Sequence, residues 1–371
     1  MKVTGIICEF NPFHQGHKYL MEEARSQTGS SFLVCIMSGD FVQRGEPAAI
    51  DKYQRTRMAL EGGADLVFEL PTRFALSSAG DFARGGLLAL EALPFVTDLF
   101  FGSESGDIGE LMNLAQAIHR GGKSLDLETR RLQETGLSYA AARQKALSSL
   151  DSAGLLSEPN NTLGIEYCLA VLESDADLRL HTLLRRGQAY NNASPQDFYP
   201  SASSLRASMA ARRDKMLTAN DFSQVLSSLL LREQDLTLYK DISPDLANRL
   251  KNQAHNFQSL DQFVDLCQTR VYTASRIRRC LFQMLLGLKD RDMTLPYLRL
   301  LGMKKTASHL LREITDCSIL NSLAVDQNLL DSHGQSLLQK DLLASHLYRL
   351  IWQQKYGETR KNEFQHRPII L

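Results

Sequence analysis

The sequence predicts an α/β protein in which a parallel sheet occupies the first half and an all-α part follows. Before residue 185, five apolar runs, VTGIICEF, SFLVCIM, ADLVFEL, TDLFFG and LRLHTLL, alternate with amphipathic stretches, the habit of a sheet covered by helices on both faces. Beyond about residue 215, apolar residues recur instead at helical spacing. The length of 371 residues suits two domains of ~100 to 200 residues each, divided here as 1–215 and 216–371.

The first run is entered directly from the N-terminus, and its apolar stretch is too short for a secretory signal. The segments 107–149 and 162–174 read as helices ahead of the fifth strand. In the second half, SQVLSSLLL, PDLANRLKNQA, LDQFVDLC, ASRIRRCLFQMLLGL, KKTASHLLREI and LLQKDLLASHLYRLIWQQK carry the helical period. No run of ~18 apolar residues could span a membrane, and the cytoplasm is the expected location. Lys plus Arg and Asp plus Glu both number 42, so the chain as a whole is no polyelectrolyte, although a local basic face remains open. The six cysteines, Cys8, Cys35, Cys168, Cys267, Cys280 and Cys317, are scattered and read as reduced core residues rather than a zinc site or disulfide framework.

The chemistry concentrates where the first strand ends. EFNPFHQGHKYLMEEA runs from a strand through a loop into a helix, giving a Rossmann-like ligand edge. A helix N-terminus carries about half a positive charge and is a natural seat for phosphate. Gly16 permits close backbone approach, and His14 and His17 add side-chain donors from the first turn. Such donors, placed in advance, suit attack on the α-phosphate of ATP with pyrophosphate leaving. After the second run, MSGDFVQRGEPAAIDKYQRTRMAL supplies Asp40, Gln43, Arg44, Lys52, Arg55 and Arg57 to neutralise phosphates or hold an acidic substrate. FFGSESGD places Gly102, Ser103 and Glu104 past a strand end. EPNNTLGIEY offers Asn161 either as an N-cap or as an amide directed at adenosine. Arg185 and Arg186 follow the fifth strand, and in PSASSLRASM the serines Ser201 and Ser203 can cap a helix from which Arg206 reaches the phosphates.

Together with SSAGDFARGG, YTASRIRR and PYLRLLGM, these strings resemble the HxGH nucleotidyltransferase superfamily and, more narrowly, the tRNA-Met cytidine acetate ligase family, in order over most of the chain. The resemblance implies a nucleotidyltransferase-like catalytic domain that makes acetyl-adenylate and pyrophosphate from acetate and ATP. It further implies transfer of the acetyl group to N4 of the wobble cytidine of elongator tRNA-Met. It places the nucleotide on Ile7, Cys8, Glu9, Phe10, Asn11, Pro12, Phe13, His14, Gln15, Gly16, His17, Lys18, Tyr19 and Leu20, with Gly102, Asn161 and Arg185. Arg186, where the family pattern has an apolar residue, stays a candidate beside Arg185, and Asn191–Asn192 replaces an expected His–Asp. His14, His17 and Lys52 are the expected catalytic residues, with Ser203 and Arg206 on the nucleotide and Asp40, Gln43 and Arg44 on the substrate. Magnesium is implied with the ATP phosphates, although no carboxylate pair marks its ligands.

For tRNA, the helical half offers Arg276, Arg278 and Arg279, then Lys304 and Lys305, with Arg270 and Arg299 nearby and Tyr272 and Tyr297 as stacking candidates. No obligate protein partner is evident. Two other readings stand beside this one: adenylylation of a phosphorylated metabolite in cofactor synthesis, which leaves the helical half without a role, and a non-catalytic RNA-binding protein, against which the intact His14, Gly16 and His17 argue.

Overall fold

The computed structural model describes residues 1–174, 176–185, 202–289 and 292–371. The five apolar runs become β1 (Val3–Cys8), β2 (Phe32–Ser38), β5 (Leu66–Leu70), β6 (Asp98–Ser103) and β7 (Arg179–Leu184), with a short hairpin, β3 (Phe41–Val42) and β4 (Glu46–Pro47), after β2. The second half adds β8 (Tyr297–Met303), β9 (Ser318–Leu320) and β10 (Ile369–Ile370). Among the described residues the main sheet has eight strands in the order β10-β8-β5-β2-β1-β6-β7, with β9 beside β8. All pairs in it are parallel except β5 with β8.

Residues alternate across each strand and thereby build two cores. Ile6, Cys8, Leu33, Cys35 and Met37 face α1 (Gln15–Thr28) and α2 (Lys52–Glu61). Val3, Ile7, Val34 and Ile36 face the opposite layer, made of α3 (Thr72–Ala75), α4 (Ala79–Glu91), α5 (Ile108–Glu134), α6 (Tyr139–Ala146) and α7 (Pro159–Ser174). β1, β2, β5 and β6 are therefore buried on both sides, which explains their nearly continuous apolar runs, whereas β7 at the sheet edge has no fully buried residue. The cysteines are free thiols, all but Cys317 fully buried.

After α8 (Ala202–Arg212), the helices α9 (Ser223–Arg232), α10 (Pro244–Gln253), α11 (Leu260–Cys267) and α12 (Ala274–Leu285) close a separate core around Phe222, Phe263 and Phe282. Phe41 and Leu76 from the first half reach into it. The short α13 (Leu323–Asp326) and the long α14 (Ser332–Tyr356) follow. α14 packs Tyr348 and Trp352 into the helical core and Leu338 and Leu342 against Tyr297 and Leu320.

The second half is thus not purely helical. YLRLLGM is a strand completing the sheet beside β5, with six of its seven residues buried, and KKTASHLLREI contains a 3₁₀ segment rather than an α-helix. A short apolar run looks alike in a buried strand and a buried helix, and Arg299 at its centre is neutralised by Glu69 and Glu363.

The chain passes from β1 to β2 and β5 on one side, then returns to β6 on the other. This switch of direction opens a crevice at the carboxyl ends of β1 and β6, where α1 begins. The hairpin is wedged between that crevice and α12. Gly45 has φ +75, and a Cβ there would lie 2.4 Å from the Arg279 backbone nitrogen. Gly45→Ala is therefore expected to push the hairpin from α12 and cost about 1–3 kcal/mol, seen as a lowered urea midpoint.

Candidate active site

A cavity of about 300 Å³ lies at the switch point, lined by the end of β1, the start of α1, the hairpin, Gly102, the first turns of α7, Arg185 and α8. Its organising element is the first turn of α1. His14 sits at the N-cap in extended conformation, and its Nδ1 accepts the Gly16 N–H at 3.1 Å. The His14 N–H donates to Nδ1 of His17 at 3.3 Å. The two rings stack with centroids 3.7 Å apart.

This arrangement fixes the tautomers. With both Nδ1 atoms accepting backbone protons, each neutral ring carries its hydrogen on Nε2. Neutrality is enforced as well: burial, followed by the charge of Arg185, lowers the His14 pKa to about 4. Burial, His14 and Arg185 together hold His17 well below its ordinary value. Two of the helix's first amides are therefore spent on imidazoles, and the N-terminal partial charge is relayed to the Nε2–H groups through polarised hydrogen bonds. Because the folded His14 pKa lies below the ordinary value of 6.5, the stability that goes with the neutral ring is full above that value and is lost as pH falls toward 4. An NMR titration of His14 is expected to show its midpoint near 4, moving upward in Arg185→Gln.

The loop before α1 is pinned from several sides. Phe10, at φ +48, is buried and sits edge-on to Phe13 at 5.1 Å. A residue held in this sparsely populated region needs such surroundings to keep it there. Asn11 Oδ1 accepts the Ala49 N–H at 2.7 Å, and Asn11 O accepts from Arg206 Nη1 at 2.8 Å. Arg206 also donates to Ser203 at 3.2 Å, so α8 brings both residues to the cavity.

Other expected residues fall into place more variously. Ile7, Cys8, Glu9, Phe10, Asn11, His14, His17, Leu20, Gln43, Arg44, Gly102, Arg185, Ser203 and Arg206 all line the cavity. Arg44 has no hydrogen-bond or ion-pair partner among the described residues, which leaves its guanidinium for an anionic ligand. Pro12, Phe13, Gln15, Gly16, Lys18 and Tyr19 belong to the same loop and helix without lining the cavity, and Lys18 pairs with Glu22 on the helix surface. Asn161 is buried and accepts the Ser105 N–H at 2.9 Å, while its own N–H donates to Glu104 at 2.7 Å. It ties the loop after β6 to α7, and its neighbour Asn160 lines the cavity. Arg186, Asn191, Asn192 and Ser201 lie outside the described residues.

Lys52, Asp40 and Arg55 stand behind the cavity rather than in it. Lys52 is 1% exposed and lies 2.8 Å from Glu69, 3.0 Å from Glu363 and 3.5 Å from Asp40. Asp40 also accepts from Ser345 at 2.6 Å. Arg55 donates to Glu9 O at 2.7 Å and Ser38 O at 2.9 Å, bracing the ends of β1 and β2. In α2, Lys52 and Arg55 share the inward face.

The five basic residues considered for RNA do not form one surface. Arg278 lies between Glu46 at 3.5 Å and Asp261 at 2.7 Å. Arg279 donates to Gln43 O at 3.4 Å, and Arg276 stacks over Tyr272 at 5.2 Å. All three are on α12 beside the hairpin. Lys304 and Lys305 follow β8 at the opposite edge of the sheet, with Lys304 3.5 Å from Asp65.

Phe82, Phe101, Leu163 and Tyr167 also line the cavity and give it an apolar wall. Sequence reasoning stopped at Asn161 and passed over them. The spacing of Asn160, Leu163 and Tyr167, three and then four residues apart, was the available sign of one helix face. No group of three or more His, Cys, Asp or Glu fit to hold a metal occurs among the described residues. The lining is a poor donor set for magnesium, which would have to arrive on the nucleotide's own phosphates. No described helix is long and apolar enough to cross a membrane.

A family model described as HIGH Nucleotidyl Transferase matches residues 1–363. Proteins named tRNA(Met) cytidine acetate ligase are similar over the whole of both chains, at 32% identity in Acetivibrio thermocellus and 30% in Fervidobacterium nodosum. The solved structure of Thermotoga maritima TmcAL bound with alpha-thio ATP has a TM-score of 0.89 to this chain at 26% identity, again covering 100% of both. Its apo form gives 0.90. With the strand, paired histidines and helix meeting at the switch point, and with these matches running the length of the chain, the protein belongs to the HIGH nucleotidyltransferase family.

Proposed function

We propose that this protein forms acetyl-adenylate from acetate and ATP and passes the acetyl group to N4 of the wobble cytidine of elongator tRNA-Met. The observation that carries the reading is the pair of neutral imidazoles at the start of α1, each with Nδ1 engaged by a backbone amide, which leaves Nε2–H as the donor. Such donors stabilise charge building on the α-phosphate as acetate attacks and pyrophosphate leaves.

Arg44, Arg185 and Arg206 serve the same anionic ligand from the hairpin, the end of β7 and α8. No protein nucleophile is required, because the mixed anhydride with AMP is itself the activated acyl group, and the protein's task is placement. The full-length likeness to tRNA(Met) cytidine acetate ligases supports acetate and tRNA as the co-substrates. We assign the helices α9 to α12 to the tRNA, with Arg276 on α12 as a phosphate contact.

The test is incubation of the purified protein with ATP, radiolabelled acetate and elongator tRNA-Met. Label is expected in N4-acetylcytidine after nucleoside digestion. Unlabelled tRNA, with pyrophosphate release stimulated by phosphorylated metabolites rather than acetate, would overturn the reading in favour of a cofactor-building transferase.

A further inference from the structure

The second half-reaction poses a problem that the histidines cannot solve. An exocyclic cytosine amine that attacks the acetyl carbonyl becomes cationic, and unless it loses a proton the adduct expels the amine again rather than AMP. His14 and His17 have no lone pair free, since Nδ1 accepts an amide proton and Nε2 already holds one. Arg44, Arg185 and Arg206 are donors only.

Among the described residues two carboxylates line the cavity, Glu9 and Glu46. Glu46 is held by Arg278. Glu9 stands at the end of β1, with Oε1 fixed by the Gln43 N–H at 2.7 Å. Its other oxygen has no hydrogen-bond or ion-pair partner among the described residues.

We propose that Glu9 is the general base of acetyl transfer, taking the proton from the attacking amine. This rests on the function proposed above. As the N4–carbon bond forms, the carbonyl becomes an oxyanion and one N4 proton passes to the open oxygen of Glu9. The oxyanion then collapses, the bond from the acyl carbon to the AMP oxygen breaks, and AMP leaves as its phosphate anion. Glu9 afterwards returns the proton to water.

The surroundings suit the task. Burial raises the Glu9 pKa above the ordinary carboxylate value, against the opposing pull of the Gln43 amide and then of Arg44, Arg55 and Arg206. Cys8 and Tyr167 face it from β1 and α7. The result is a stronger base than a free carboxylate.

The experiment separates the two half-reactions, following acetate-dependent exchange of pyrophosphate into ATP and, separately, transfer from chemically made acetyl-adenylate to tRNA-Met. In Glu9→Gln, transfer is expected to fall about 10²- to 10⁴-fold, with exchange reduced far less. Wild-type transfer should rise with pH through the ionisation of Glu9 and level off. That rise should vanish in Glu9→Gln and persist, at a reduced rate, in Glu9→Asp. Transfer by Glu9→Gln at the wild-type rate, or equal loss of exchange and transfer with the pH profile unchanged, would overturn the assignment. Wild-type protein that exchanges no pyrophosphate with acetate would instead overturn the proposed function, and the role of Glu9 with it.

Discussion

Replacing His17 with alanine is expected to lower the rate of adenylate formation by about 10²- to 10³-fold, the usual effect of deleting one preorganised donor at a site of developing charge. Folding should change by about 1–2 kcal/mol, the scale of a lost cap interaction, because the ring accepts one hydrogen bond from the His14 N–H and packs against His14 and Phe10. His17→Asn should recover part of the rate, since an amide N–H can still donate from the same turn. His14→Ala should behave alike, and the double variant should lose less than the product of the single losses, because stacked rings sharing one backbone turn act as a unit. Pyrophosphate exchange under saturating ATP measures the effect. A His17→Ala protein exchanging at the wild-type rate would remove the imidazole pair from the chemistry.

The second large effect concerns stability. Lys52 was expected from the sequence to act in catalysis, yet its ammonium is buried among Glu69, Glu363 and Asp40. Burial opposes its charge, but Glu363 and Glu69 hold its pKa above the ordinary lysine range. Correspondingly, Lys52 and Arg299 overcome burial and keep Glu363 ionised, well below the usual carboxylate range. The network joins α2, β5, β8 and the C-terminal segment. Removing one member strands the others without water, at a cost of about 3–5 kcal/mol. Lys52→Met is therefore expected to lower the unfolding free energy measured in urea by that amount while the folded protein keeps adenylate formation within a few-fold of wild type. A variant of normal stability that has lost 10²-fold or more in exchange would return Lys52 to the catalytic group.

Much of the fold was legible because its signal is local. β1, β2, β5 and β6 are buried on both faces and read as nearly continuous apolar runs, and the HxGH turn is short enough for its neighbours to be known from the sequence. β8 was missed because Arg299 interrupts it, and the carboxylates that neutralise that charge come from β5 and from a segment some sixty residues later. The same long-range dependence hid the roles of Lys52 and Asp40. Their partners Glu363 and Ser345 lie near the other end of the chain, and nothing near Lys52 distinguishes a buried ammonium from a phosphate ligand. Within the cavity, polar residues were found by type, whereas Phe82, Phe101, Leu163 and Tyr167 look like any core residues until the fold places them beside the histidines.

The central claim is that acetate attacks the α-phosphate at the His14–His17 pair. It is tested most directly by running the complete reaction with acetate labelled with oxygen-18 in both carboxylate positions. Attack at the α-phosphate makes one acetate oxygen the bridge of the mixed anhydride, and transfer to the amine leaves it on the nucleotide. Mass spectrometry is expected to find one heavy oxygen in each AMP and none in pyrophosphate. AMP without label, or label in inorganic phosphate after attack at the γ-phosphate, would contradict the account.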